Sequence, residues 1–158
     1  MTDPAEVIIR QMNRRGWTLA TCESLTGGAL GAAITSVSGA STVYRGGLVT
    51  YASDLKASLA GVDPSWIDQH GVINERTAIQ MADGARRACS ASWGISTTGV
   101  AGPTMQDGEP VGTVWIGVAR PGEDTAARRF QFDGDRARIR LDTVDAALRI
   151  VLDCMGWE

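Results

Sequence analysis

A chain of 158 residues, 44% apolar and 21% charged, has the size and balance of one ordinary globular domain, expected to span 1–158 around a single core. A net charge of −3 and a pI near 5.2 argue against a dedicated nucleic-acid surface, and no apolar run is long enough to suggest a membrane span. The start, Met1-Thr2-Asp3-Pro4, lacks the basic and apolar segments of a signal peptide. Cys22, Cys89 and Cys154 are widely spaced among apolar residues and read as reduced, buried thiols, so a cytoplasmic protein is expected. Of the 15 basic residues, 14 are Arg, and the one Lys is Lys56. A guanidinium cannot give up its proton and an amine can. Lys56 is therefore either a place where Arg would not serve or a chance survivor on a surface helix.

Taken in order, Asp3-Pro4-Ala5-Glu6 has the form of a capped helix start, and Ala5, Ile8, Ile9 and Met12 give that helix one apolar face until Gly16 ends it. Trp17 to Ala20 reads as a strand and Thr21-Cys22-Glu23-Ser24-Leu25-Thr26-Gly27-Gly28 as a tight turn into a helix, with Thr26 a candidate cap. Thr42 to Tyr51 predicts a second strand, kinked or bulged at Gly46-Gly47. A short helix from about Ser53 carries Lys56, Asp63-Pro64 begins another capped turn, and Asn74 caps a long helix with Ala78, Met81, Ala82, Ala85 and Cys89 on one face. Trp93 to Thr98 is a strand that breaks into Gly99-Val100-Ala101-Gly102-Pro103. A polar excursion, Thr104 to Pro110, precedes a buried strand up to Ala119. Ala126 to Phe132 alternates like an edge strand, and a last helix follows Gly134.

Strands interleaved with helices predict an α/β fold with helices on both faces of a sheet of about five strands. The last two strands have no helix between them, so at least one antiparallel pair is expected. Ligands in such sheets sit outside the carboxyl ends of the strands, and Ser24, Tyr51 with Lys56, and Thr98-Gly99 all fall at such ends. Gly27-Gly28-x-x-Gly31 is not a dinucleotide fingerprint, the loop has no P-loop Lys, and no His or Cys spacing suggests a metal.

Glu23-Ser24-Leu25-Thr26-Gly27-Gly28, Val49-Thr50-Tyr51 with Lys56, His70-Gly71, Thr98 to Pro103, Pro110 to Ile116 and Gly134-Asp135-Arg136, in this order, resemble the CinA C-terminal domain family. The resemblance implies a three-layer α/β/α sandwich with a mixed, mostly parallel sheet. It also implies a homo-oligomer with nicotinamide-nucleotide amidase activity in pyridine-nucleotide recycling. That activity hydrolyses nicotinamide mononucleotide to nicotinate mononucleotide and ammonia, with no metal or cofactor. The preceding pyrophosphatase domain of longer members, and its activity, are not expected. Many members have Cys where this chain has Leu25, a change that leaves Ser24 in place and bears on the pocket wall or substrate choice.

Amide hydrolysis needs a nucleophile, a proton carrier and oxyanion donors. The sole His, His70, sits at an apparent helix end and reads as structural, which leaves Ser24 as nucleophile and Lys56 as base. Tyr51 either relays the proton or orients Lys56, or is a cross-strand aromatic. Glu23 either holds Lys56 or meets a ribose hydroxyl. Backbone N–H groups of the Ser24 to Gly28 loop, with Thr26, Gly27 and Gly28, or of Thr98-Gly99 near Gly102, are candidate oxyanion donors; the Thr98 side chain alternatively satisfies its own turn. Arg136 and Arg140, one helical turn apart, either share the substrate phosphate or form a solvated face. The alternative function is a non-catalytic nucleotide-binding or regulatory module, in which the glycine loops only cradle a phosphate.

Overall fold

The computed structural model describes residues 2–156. Helix α1 (Pro4–Arg15) starts as its sequence demands, with Asp3 accepting the Ala5 N–H, and ends on Gly16 in the left-handed region. It is followed by β1 (Leu19–Glu23), α2 (Ala29–Thr35), a single 3-10 turn (Ala40–Thr42), β2 (Tyr44–Val49), α3 (Ser53–Ser58), α4 (Pro64–His70), α5 (Glu75–Cys89), β3 (Trp93–Gly99), β4 (Thr113–Ala119), β5 (Ala126–Gln131) and α6 (Arg136–Cys154). The first strand thus begins and ends later than the residue pattern suggested, and Thr21, Cys22 and Glu23 belong to it rather than to the turn.

The five strands lie in the order β2-β1-β3-β4-β5. Pairs β1/β2 and β1/β3 are parallel, whereas β3/β4 and β4/β5 are antiparallel, so only β4 runs against the other four. The irregularity expected near the paired glycines of β2 is present: Leu19 faces Tyr44 and Ala20 faces Gly46, skipping Arg45.

β1 lies between β2 and β3, and every one of its side chains is buried. Leu19 joins the larger core under α1, α2 and α6, with Trp93, Ile95, Ile116, Ile139 and Val151. Ala20 and Cys22 face the opposite layer, packing with Met81 and Ala85 of α5. The pleat therefore assigns the odd-numbered residues of β1 to one helical layer and the even-numbered ones to the other. α5 approaches the sheet closely because β3 and β4 offer it glycines: a Cβ at Gly94 or Gly117 would run into the backbone oxygen of Ala82 or Ala78. Ser96 ties the same contact, donating to the Ala78 carbonyl at 2.6 Å and accepting the Gly117 N–H at 3.2 Å. Of the three cysteines, only Cys22 is buried; Cys89 and Cys154 are half-buried, which corrects the expectation for those two. No helix among the described residues is long and apolar enough to cross a membrane.

Candidate active site

Just past the carboxyl ends of β1, β2 and β3 the chain leaves an open cleft of about 370 Å³, lined by Ser24, Leu25, Tyr51, Gly99, Gly102 and Arg136, with Thr104, Met105 and Gln106 along one side. Ser24 is fixed by its own N–H, which donates to the Thr97 carbonyl at 2.9 Å and so carries the β1/β3 ladder one step beyond the strand. The Ser24 carbonyl accepts the Gly27 N–H at 3.0 Å and closes the turn.

Lys56 reaches the same point from α3. Its side chain is fully buried, with Nζ 3.0 Å from Ser24 Oγ and donating to the Thr50 carbonyl at 2.6 Å. That carbonyl is held in turn, because the Thr50 N–H donates to the Glu23 carbonyl at 2.9 Å. Burial pushes the amine from its ordinary 10.5 down to about 8, against weaker upward pulls from Cys22 and Asp107. Burial also drives the Cys22 thiol up to about 11, so that neighbour is neutral and gives Lys56 no counter-ion. A neutral amine has one lone pair, and with an N–H committed to Thr50 that lone pair can take the Ser24 proton.

Glu23 does neither of the things its sequence position suggested. It is 2% exposed and turned toward α2, where Oε1 accepts from Thr26 Oγ1 (2.7 Å), Gly28 N (3.2 Å) and Leu30 N (2.8 Å), and Oε2 from Gly31 N (3.0 Å). This carboxylate, and not Thr26, caps α2; the N-cap residue is Gly28, whose φ of 103° suits glycine. Thr26 is buried between Glu23 and Thr97, with Oγ1 2.8 Å from Thr97 Oγ1. Neither Thr26, Gly27 nor Gly28 lines the cleft.

Arg140 is also withdrawn. Its Nε donates to the Leu25 carbonyl at 3.0 Å and its Nη2 to the Thr26 carbonyl at 3.2 Å, so it clamps the Ser24 turn from outside and neither faces solvent freely nor shares a site with Arg136. Arg136 stands on the cleft rim, donating to the Gly102 carbonyl at 2.9 Å and to Tyr51 Oη at 3.2 Å. Tyr51 lies beyond β2, is 60% exposed, and bonds Arg136 rather than Lys56. Thr98 points away: its Oγ1 donates to the Val72 carbonyl at 2.7 Å. His70 closes α4 and lies against Trp66, with ring centroids 3.8 Å apart and planes tilted by 31°.

Two backbone donors belong to residues that line the cleft. The Leu25 N–H has no acceptor among the described residues. Gly99 occupies a non-hydrogen-bonded position of the β3/β4 ladder, since Val100 donates to Thr113 at 2.9 Å; its N–H faces the side where β1 has already turned away at Ser24. Sequence reasoning missed Thr50, whose contribution is a carbonyl and so has no residue-type signature. It also missed the cleft wall at 104–106, whose signal was the Asp107-Gly108 turn inside the polar excursion.

The family model of the CinA C-terminal domain matches residues 1–155. A CinA-like protein of Frankia casuarinae is 46% identical over 145 residues, covering 92% of this chain and 33% of that protein. A CinA-like protein of Thermosynechococcus vestitus is 40% identical over 137 residues, 85% of this chain and 32% of that protein. The chain thus spans about a third of the length of the curated relatives it matches. Among solved structures, the competence/damage inducible protein CihA from Agrobacterium tumefaciens superposes with a TM-score of 0.91 at 33% identity, covering 95% of this chain and 92% of that one. The competence damage-inducible protein A from Klebsiella pneumoniae gives 0.91 at 32% identity, covering 98% and 96%. Sequence and three-dimensional likeness extend together over nearly all of these residues, and the chain belongs to the CinA C-terminal domain family.

Proposed function

We propose that this chain is an amidase that hydrolyses the carboxamide of nicotinamide mononucleotide through Ser24 and Lys56. The observation that carries the proposal is the buried amine of Lys56, without a counter-ion in contact and 3.0 Å from the Ser24 hydroxyl at the edge of an open cleft. Family membership supports a hydrolase-type role; the specific substrate rests on the resemblance and on the cleft's chemistry.

In this reading Lys56 Nζ takes the Ser24 proton as Oγ bonds to the carboxamide carbon, and the oxygen that becomes negative is met by the N–H groups of Leu25 and Gly99. Lys56 then passes the proton to the amide nitrogen, the C–N bond breaks, and ammonia leaves an acyl group on Ser24. Water gives a proton to the same amine and attacks that acyl group. The acid departs, and Ser24 recovers its proton from Lys56. A Lys whose pKa is held near 8 suits both directions of transfer close to neutral pH. Arg136, the cation on the rim, is positioned for the substrate's phosphate, with Tyr51 beside it. The same reading makes the protein a cytoplasmic homo-oligomer that acts on a small nucleotide, with neither nucleic acid nor membrane as partner.

Ammonia release from nicotinamide mononucleotide tests it. Ser24→Ala should abolish release and Lys56→Arg should reduce it sharply, because the guanidinium keeps its proton. Full activity in both variants would remove the pair from the mechanism.

A further inference from the structure

The connection between β3 and β4 is more than a polar excursion. Gln106 and Glu109 bond each other across a two-residue turn, N–H to carbonyl at 3.3 and 2.8 Å. Between them Asp107 (φ 50°) and Gly108 (φ 76°) both lie in the left-handed region, the requirement of a type I′ hairpin and the reason Asp-Gly is favoured there. One arm of this hairpin, Thr104 to Gln106, is a wall of the cleft that contains Ser24.

Among the described residues the hairpin has one side-chain tie to the rest of the fold, and it goes to the connection between α4 and α5. Asp107 Oδ2 accepts the Val72 N–H at 3.0 Å, while the Val72 carbonyl accepts Thr98 Oγ1 at 2.7 Å. A single peptide segment thus joins the hairpin tip to the last turn of β3, immediately before Gly99. Val72 cannot yield easily, being 3% exposed and packed with Ile73 and Val100. Gly71 keeps room for the carboxylate, since a Cβ there would lie 2.6 Å from Oδ2.

We propose that Asp107 is a positioning residue for this site, a latch that pins the cleft wall at Thr104–Gln106 to the end of β3 and thereby sets how tightly the substrate is held. Met105 is 62% exposed and Gln106 is also exposed, so little burial of their own fixes the wall. Holding it falls to the Asp107–Val72 bond, of the charged-acceptor kind. The Ser24–Lys56 pair is held from the end of β1 and from α3 with no hydrogen bond to the hairpin, and the Asp107 charge pulls only weakly on Lys56, so the latch acts on binding rather than on the bond-breaking step.

The proposal rests on the amidase reading for its kinetic consequence alone; the latch itself is measurable without turnover. Amide hydrogen exchange across 103–110 should quicken by about tenfold in Asp107→Ala and stay near the parent's rate in Asp107→Asn, which keeps an acceptor oxygen and the turn preference. On nicotinamide mononucleotide, Asp107→Ala should raise KM by about fivefold or more with kcat little changed, and Asp107→Asn should restore the parent KM. Unchanged exchange in Asp107→Ala would overturn the latch, as would an Asn variant as loose as the Ala variant, or a loss confined to kcat. A parent enzyme that releases no ammonia would count against the amidase reading instead, and the exchange measurements would still decide the latch.

Discussion

Replacing Lys56 with Met keeps an unbranched chain of similar volume in the same buried channel and removes the amine. The folded chain holds that amine at about 8 instead of 10.5, so between those values the unfolded chain carries the proton and the folded chain does not. Unfolded chains then bind more protons, and the parent's stability rises with pH across that window. At about 1.4 kcal/mol per unit, the burden of burying the charged amine is roughly 3 kcal/mol near pH 7 and falls to roughly 1 kcal/mol near pH 10. Met escapes the whole of it but strands the Thr50 carbonyl, which costs about 1–3 kcal/mol. Lys56→Met should therefore be level with or up to about 2 kcal/mol more stable than the parent near pH 7, and should fall below it near pH 10. Urea unfolding of both proteins across that range reads the difference directly. It should change by about 2–3 kcal/mol in favour of the parent as pH rises. A difference that does not move with pH would refute the claim that burial prepares this lysine to accept a proton.

Glu23→Gln places an NH₂ group against N–H donors that now have an acceptor, and should lower stability by about 1–3 kcal/mol in chemical unfolding together with a loss of ammonia release. Arg140→Ala frees the Leu25 and Thr26 carbonyls and should reduce kcat about ten- to a hundredfold, with circular dichroism unchanged, because the Ser24 turn loses its outer clamp. Gly117→Ala drives a methyl into the Ala78 carbonyl of α5 and toward Ser96 Oγ, 2.6 Å away; thermal melting should show a loss of about 1–3 kcal/mol.

Much of the architecture was legible because it depends on local patterns. The Asp3, Asp63 and Asn74 caps, the left-handed Gly16, and the bulge beside Gly46 all sit where residue type alone put them. The roles of Glu23 and Arg140 were not legible, because each is decided by which layer an element packs against. The signal for Glu23 was available in part: pleating sends neighbours on a strand to opposite faces, so a Glu23 that faces α2 cannot also serve a Ser24 that faces α3. Arg136 and Arg140 share a helix face, but the Ser24 turn lies under one and the cleft rim beside the other. No spacing rule carries that information.

Had a helix followed β3, the chain would have been carried to the far edge of the sheet before its next strand began. Because β4 runs backwards, the connection leaves and returns on the edge where Ser24 stands. Apart from the Asp107 anchor, its composition is thereby free of the packing demands of the sheet. Side chains at 104–106 can change there without moving the backbone that carries the nucleophile or the amine, so what the cleft admits can be altered separately from the pair that reacts.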